Sequence, residues 1–118
     1  MGANRSGQSS DLGLSLELIR PYALALPRTS EHLIRDRVKF RVKQIVYLGF
    51  SRDESIMGFG FPREEREALV DSRPETFRFP SAGDMRYQWV DARIDTPCPE
   101  RAKELIRDAC AMCVREVP

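Results

Sequence analysis

The sequence contains few of the residues from which catalytic and metal sites are usually built. Its 118 residues include a single histidine and three cysteines. A site that needs two histidines is therefore excluded, and an odd number of cysteines argues against a disulfide framework. No nucleophile-elbow, phosphate-loop or dinucleotide-binding fingerprint is present. The sequence therefore predicts no cofactor and gives little support to an enzyme.

Long apolar stretches are also missing. The longest charge-free stretches, residues 44–51 and 55–62, have eight residues each, whereas a membrane-spanning helix needs about 20 apolar residues. The first residues lack the apolar segment of a secretory signal. Together with the odd number of cysteines, these absences predict a cytoplasmic protein with no membrane partner.

Composition and charge indicate one ordinary globular domain. Hydrophobic residues make up 42% of the chain and charged residues 31%. We expect residues 1–13 to be a flexible tail and residues 14–118 to fold as a single domain. The net charge of +1 is unevenly placed, because residues 1–43 carry a net +4 and residues 44–118 a net −3. A positive patch is therefore expected on a nearly neutral molecule.

Apolar residues at helical spacing predict three helices. The first lies within residues 15–27 and contains Pro21, so the helix either kinks there or begins later. A second helix is predicted from Pro62 to about residue 71. A long amphipathic helix follows Pro99 and extends to about residue 117.

Alternating or continuous apolar residues predict strands at residues 35–43, 45–50, 56–61 and 85–95. Short connections between the first three strands imply antiparallel pairing, with a tight turn at Lys43 and Gln44. Gly58 and Gly60 suggest a bulge or a close backbone approach. The fold class is therefore α+β, in the order α-β-β-β-α-β-α, with an antiparallel sheet of about four to five strands and helices packed on one face.

The first predicted strand carries the main functional signal. Every second residue is basic, at Arg35, Arg37, Lys39, Arg41 and Lys43. One face of a strand would then present a row of cations with a spacing close to that of the phosphates on a DNA strand. Phosphate contacts carry no base information, so the binding expected is of low specificity.

Two alternatives for this row remain open. It could be a solvated sheet face or edge, where basic side chains discourage aggregation. Alternatively, the acidic second helix could cover it with ion pairs through Glu64, Glu65, Glu67 and Asp71.

Three further groups of residues attract functional interpretations. Tyr87 and Trp89 would share one strand face, where they could stack on a ligand or pack in the core. Cys110 and Cys113 form a CxxC pattern, but both fall on the apolar stripe of the last helix, so we expect no metal or redox site. His32 could act as a general base oriented by Glu31 or Asp36, although a structural role is more common.

The sequence resembles the MmcQ/YjbR family of small bacterial proteins over roughly residues 14–117. The matching segments are residues 22–27, 31–32, 35–42, 59–64, 77–80 and 87–90. The resemblance implies a compact α+β domain with a curved antiparallel sheet, which has been likened to the double-wing DNA-binding module of the phage activator MotA and to frataxin-like proteins. The family's biochemical activity is poorly established.

The sequence departs from the family pattern at Pro21, at the turn of Lys43 and Gln44, and in residues 80–89, which lack the histidines common there. The leading hypothesis is low-specificity DNA binding through the basic strand. The alternative is a protein-interaction or small-ligand module that uses the sheet's concave face with Tyr87 and Trp89. An enzyme built around His32 is the third reading.

Overall fold

Six antiparallel strands and three helices make up the fold in a computed structural model, which describes residues 14–116. In chain order they are α1 (Leu16–Leu24), β1 (Thr29–Ile34), β2 (Arg37–Val42), β3 (Ile45–Phe50), β4 (Ile56–Gly60), α2 (Arg63–Ser72), β5 (Phe77–Arg78), β6 (Trp89–Arg93) and α3 (Pro99–Glu116). The sheet order is β1-β2-β3-β4-β6-β5. The predicted α+β class with a curved antiparallel sheet is confirmed. The tail expected at residues 1–13 lies outside the described residues.

The sheet has two more short strands than the sequence pattern indicated. Strand β1 consists of four polar residues followed by Leu33 and Ile34, so it shows no apolar alternation. It forms through backbone pairing with β2 along its whole length. Strand β5 has only two residues and pairs with β6. Neither strand has the side-chain periodicity that predicts a strand.

The three helices agree closely with the predicted ranges. Ser15 caps α1, because its hydroxyl accepts a hydrogen bond from the backbone N–H of Leu18 at 3.3 Å. The helix continues through Pro21, so the later start considered above is wrong. Helices α2 and α3 begin just after Pro62 and at Pro99, as expected. Within residues 14–116, none of the helices is long and apolar enough to span a membrane.

One face of the sheet carries the apolar side chains of the core. Lateral pairing joins Phe40, Leu48, Phe59 and Val90 into a row across four strands. All four are fully buried, and each helix adds buried residues to the same cluster, among them Ile19, Leu69 and Ile106. Burial of this face fixes the register, since a shift by one residue would expose the whole row.

Turns and a bulge shape the first three strands. Arg35 and Asp36, which join β1 to β2, both have positive φ angles, as does Lys43 in the next turn. These angles suit tight hairpin turns. Between β2 and β3 the register shifts, so that Tyr47 is an extra residue in β3. Its side chain is buried and its hydroxyl lies 2.9 Å from Thr29 Oγ1.

Candidate ligand-binding groove

The basic strand is shorter than its sequence pattern suggested. Only Arg37, Lys39 and Arg41 lie within β2, where their alternation places them on one face, opposite the core. Arg35 and Lys43 occupy the flanking turns with φ angles of 53° and 54°. The prediction of five cations in one straight row is therefore wrong, and three remain on a common face.

The acidic helix does not cover these cations. Helix α2 contacts β5 and β6, at the far edge of the sheet from β2. Among residues 14–116, none of the ion pairs involves Arg37, Lys39 or Arg41. The alternative in which the acidic residues of α2 neutralise the row is wrong.

Arg41 is tied to the single histidine. Its Nη2 lies 2.9 Å from His32 Nδ1, and His32 Nε2 lies 2.8 Å from Ser30 Oγ. An arginine side chain can only donate, so Nδ1 accepts this hydrogen bond. The ring N–H is therefore on Nε2, and it donates a hydrogen bond to Ser30 Oγ. Both ring nitrogens are thus occupied, and Arg41 Nε is buried without a partner. This cluster holds Arg41 against β1 and removes it from the free cations.

Two glycines face each other at the centre of the sheet. Lateral pairing joins Lys39, Gly49, Gly58, Asp91 and Arg78 across five strands, on the face opposite the core. We call this set the glycine row. Since Gly49 and Gly58 lack side chains, the two central strands form a low floor between the flanking polar residues.

The side chain of Lys39 folds over the first glycine. A Cβ atom placed on Gly49 would lie 3.3 Å from Lys39 Cδ and 3.5 Å from its Nζ. The ammonium group therefore reaches inward over the neighbouring strand. Lys39 is half-buried, whereas Arg37, two residues away on the same face, is exposed.

Trp89 and Asp91 fill the space over the second glycine. A Cβ atom on Gly58 would lie only 2.4 Å from Trp89 Nε1 and 2.7 Å from Asp91 Oδ1. The nearest atoms belong to side chains and the strand register is regular, so the prediction of a bulge or a close backbone approach at Gly58 is wrong. Burial raises the pKa of the Asp91 carboxyl, while nearby Arg78 and a hydrogen bond from Trp89 act in the opposite direction.

A groove of about 730 Å³ is lined by Lys39, Gly49, Gly58, Trp89 and Asp91. Its walls also include Arg37, Asp84, residues 86–88 and the C-terminal half of α3, where Ala109, Met112 and Glu116 contribute. Tyr87 is 52% exposed at the rim, and Arg86 lies over its ring at 4.9 Å. Tyr87 precedes β6, so the prediction that it shares a strand face with Trp89 is wrong. Both aromatic residues nevertheless border the same groove.

Two arginines of α2 hold the wall that carries the aromatic residues. Arg66 is only 6% exposed and donates to the carbonyl oxygens of Met85, Tyr87 and Trp89 at 2.9–3.0 Å. Arg63 donates to the carbonyl oxygen of Arg86 at 2.6 Å. Residues 85–88 lie outside the strands, and the bonds from α2 satisfy carbonyl groups of this segment and of Trp89 at the start of β6.

The cysteines are not gathered into a site. Cys98 is exposed, and Cys110 and Cys113 are buried on α3. Cys110 Sγ lies 3.7 Å from Thr29 Oγ1. In the part of the chain that the structure describes, no three potential metal-ligating side chains come together.

Several residues of the groove were not found from the sequence. Gly49 lies within an apolar strand. A glycine at such a position can indicate a close approach, but the sequence does not show that the approaching group is the side chain of Lys39. Asp91 and Arg66 are ordinary charged residues whose partners are distant in sequence. Their contribution depends on the pairing of β4 with β6 and on the packing of α2.

Comparison with known proteins supports the fold alone. No protein-family model matches the sequence, and no curated protein matches it either. A crystal structure of Deinococcus radiodurans protein DR2400, which carries the domain DUF419, superposes with a TM-score of 0.73. The match covers 88% of this chain and 80% of that one, at 17% sequence identity. The two proteins share a fold.

Proposed function

We propose that the protein is a binding module that holds a small anionic ligand in the groove above the glycine row. The observation that carries this proposal is the lateral pair of Gly49 and Gly58, flanked by polar side chains, in a groove of about 730 Å³. Small-molecule sites commonly have about 300–1,000 Å³ and combine apolar walls with a few polar groups.

Charge around the groove favours an anion at its β2 side. Arg37 and Lys39 project there, and among residues 14–116 neither of them forms an ion pair. The groove's carboxylates, Asp84, Asp91 and Glu116, come from other segments. A negative group beside β2 would therefore gain two cations that no carboxylate of the described chain neutralises.

A titration with anilinonaphthalene sulfonate, a planar aromatic anion, tests the proposal. We expect saturable one-to-one binding with energy transfer from Trp89, because this tryptophan is the only one in the sequence. The double variant Arg37→Ala, Lys39→Ala should weaken binding by about tenfold or more, since two charge-assisted contacts are lost. The control Arg107→Ala, an exposed position outside the groove, should bind normally. Equal binding by the double variant would contradict the proposal.

Low-specificity DNA binding through β2 is the second candidate. The observation in its favour is that Arg37 and Lys39 share one face of β2, and among residues 14–116 neither of them forms an ion pair. Two phosphate contacts predict a log–log salt slope of about −1.8. Fluorescence titration with duplex and single-stranded DNA at 50 and 200 mM salt measures this slope. Binding that ignores salt, or that survives Arg37→Glu with Lys39→Glu, would count against this candidate.

Family membership and cellular location complete the proposal. The sequence segments described above support an MmcQ/YjbR-type protein, and the shared fold of the Deinococcus protein is compatible with it. The three free thiols favour a reducing cytoplasm.

A further inference from the structure

The two glycines of the glycine row lie under side chains of opposite chemistry. Above Gly49 lies the Lys39 ammonium, which can only donate, and above Gly58 lies the Asp91 carboxylate, which accepts. No ion pair of the described chain joins them. A ligand above the two glycines would therefore meet a cation over Gly49 and an acceptor over Gly58, with Trp89 beside the acceptor and Arg78 on the strand beyond it.

Building on the proposed function, we infer that the groove binds a nucleoside monophosphate whose base carries an amino group. The phosphate lies beside Arg37 and Lys39, the base rests against Trp89, and the amino group donates a hydrogen bond to Asp91. The same chemistry is present in a free nucleotide and in a residue of a single nucleic-acid strand, so the test separates these two sources.

The groove has room for more than a simple anion, at about 730 Å³. Arg37 lies on β2, the Lys39 ammonium reaches over Gly49 of β3, and the Asp91 carboxylate lies over Gly58 of β4. Inorganic phosphate held by Arg37 and Lys39 would leave the ring of Trp89 without a ligand contact. A nucleoside monophosphate can contact that ring as well, because its sugar joins an anionic part to a planar part.

Asp91 determines which base fits. One of its oxygens lies close to Trp89 Nε1, from which the carboxylate accepts a hydrogen bond. Further lone pairs remain free to accept from an amino group. Carboxylates recognise the amino group of cytosine in this way, whereas the carbonyl oxygen of uracil at the same position would face another acceptor. The structure therefore predicts discrimination between bases that differ at one group.

Fluorescence of Trp89 and isothermal calorimetry provide the measurement on the full chain. We expect cytidine 5′-monophosphate to bind about tenfold or more tightly than uridine 5′-monophosphate, as expected for one discriminating hydrogen bond. Lys39→Ala should weaken the nucleotide and leave cytidine, which lacks the phosphate, unchanged. Asp91→Asn should remove the difference between the two nucleotides. Arg107→Ala serves as the control and should behave as the unmodified chain.

The outcomes distinguish this inference from the proposed function. If the sulfonate dye binds through Arg37 and Lys39 but neither nucleotide displaces it, the inference is overturned and the proposed function stands. If dye and nucleotides both ignore these residues, both are overturned. Equal affinity for the two nucleotides also overturns the inference. A deoxycytidine dodecamer that binds much more tightly than the mononucleotide, with the same dependence on Asp91, would identify a nucleic-acid strand as the source.

Discussion

Gly49 and Gly58 lie directly opposite each other on the two central strands, and other residues occupy the space that their side chains would take. Lys39 folds over the first glycine, and Trp89 with Asp91 covers the second. This arrangement brings a cation, an indole and a carboxylate onto one small area of the sheet. The two glycines also differ in how easily they would tolerate a side chain, because the flexible stem of Lys39 covers Gly49 and the rigid ring of Trp89 covers Gly58.

The first prediction compares alanine at these two glycines. Neither glycine has a positive φ angle, so alanine is compatible with the backbone at both sites. At Gly58 the new Cβ atom would lie 2.4 Å from the indole of Trp89, so the ring must move. We expect Gly58→Ala to lower the free energy of unfolding by about 1–3 kcal/mol and to shift Trp89 emission. Urea denaturation followed by fluorescence measures both.

Gly49→Ala is the matched control. The Cβ atom would approach the flexible Lys39 stem at 3.3 Å, and the stem can move aside. The free energy of unfolding should change by less than about 1 kcal/mol, since reduced backbone entropy of the unfolded chain offsets the contact. An equal decrease in the free energy of unfolding for both variants would contradict the difference between a flexible stem over Gly49 and a rigid ring over Gly58.

The second prediction concerns the support of the groove wall by Arg66. Methionine retains the unbranched apolar stem of this side chain but removes the donors to three carbonyl oxygens. We expect Arg66→Met to lower the free energy of unfolding by about 2–4 kcal/mol and to weaken dye binding, because buried carbonyl groups lose their partners. Arg63→Met, which removes one exposed hydrogen bond, should cost less than about 1 kcal/mol. Similar losses for both variants would show that Arg66 does not support the wall.

Much of the fold could be predicted because the core side chains repeat at regular spacings. The apolar stripe of α3 and the alternation at Val38, Phe40 and Val42 are local patterns, and burial of one face produces both. The polar strand β1 could not be found in this way. Backbone pairing with β2 holds it, and backbone hydrogen bonds leave no mark on the sequence of side chains.

The groove could be predicted only in part. Lys39 and Trp89 were identified as candidates, but their meeting over adjacent glycines depends on which strands are neighbours. The pairing of β6 with β4 places Asp91 beside Gly58, although 33 positions separate them in the sequence. The alternation of basic residues continues through Arg35 and Lys43 in the sequence, but both residues lie in hairpin turns, and their positive φ angles are properties of the folded chain.

The third prediction concerns the reactivity of the three thiols. Cys98 is exposed, whereas burial and the neighbouring Cys110 raise the pKa of Cys113 to about 11. Because the thiolate is the reactive form, a maleimide should modify one thiol quickly in the native protein and all three in urea. Cys98→Ser should abolish the fast phase, measured by mass spectrometry. A fast phase that persists in this variant would contradict the assignment.

The fourth prediction uses the turn between β3 and β4. Hydrogen bonds from Ser55, through its hydroxyl and its backbone N–H, and from the Ser51 hydroxyl lower the pKa of Asp53 to about 2. An ionised Asp53 therefore stabilises the folded state above its ordinary pKa of 3.8, and this contribution is lost as the pH falls towards 2. Asp53→Asn should unfold at lower urea than the unmodified chain at pH 7. The urea midpoints of the two chains should converge as the pH falls from 3.8 to about 2.

Asp91 should show the opposite pH dependence. Burial raises its pKa in the folded protein, so the folded state binds a proton more readily than the unfolded chain does. Its contribution to stability is complete below the ordinary pKa of 3.8 and is lost as the pH rises through the raised value. We therefore expect Asp91→Asn to increase resistance to urea at pH 7 and to lose this advantage in acid. Asp53→Asn provides the control of opposite sign in the same denaturation series. If Asp91→Asn instead destabilises the protein at pH 7, the prediction is wrong. The buried carboxylate would then stabilise the folded protein, through its contact with Trp89.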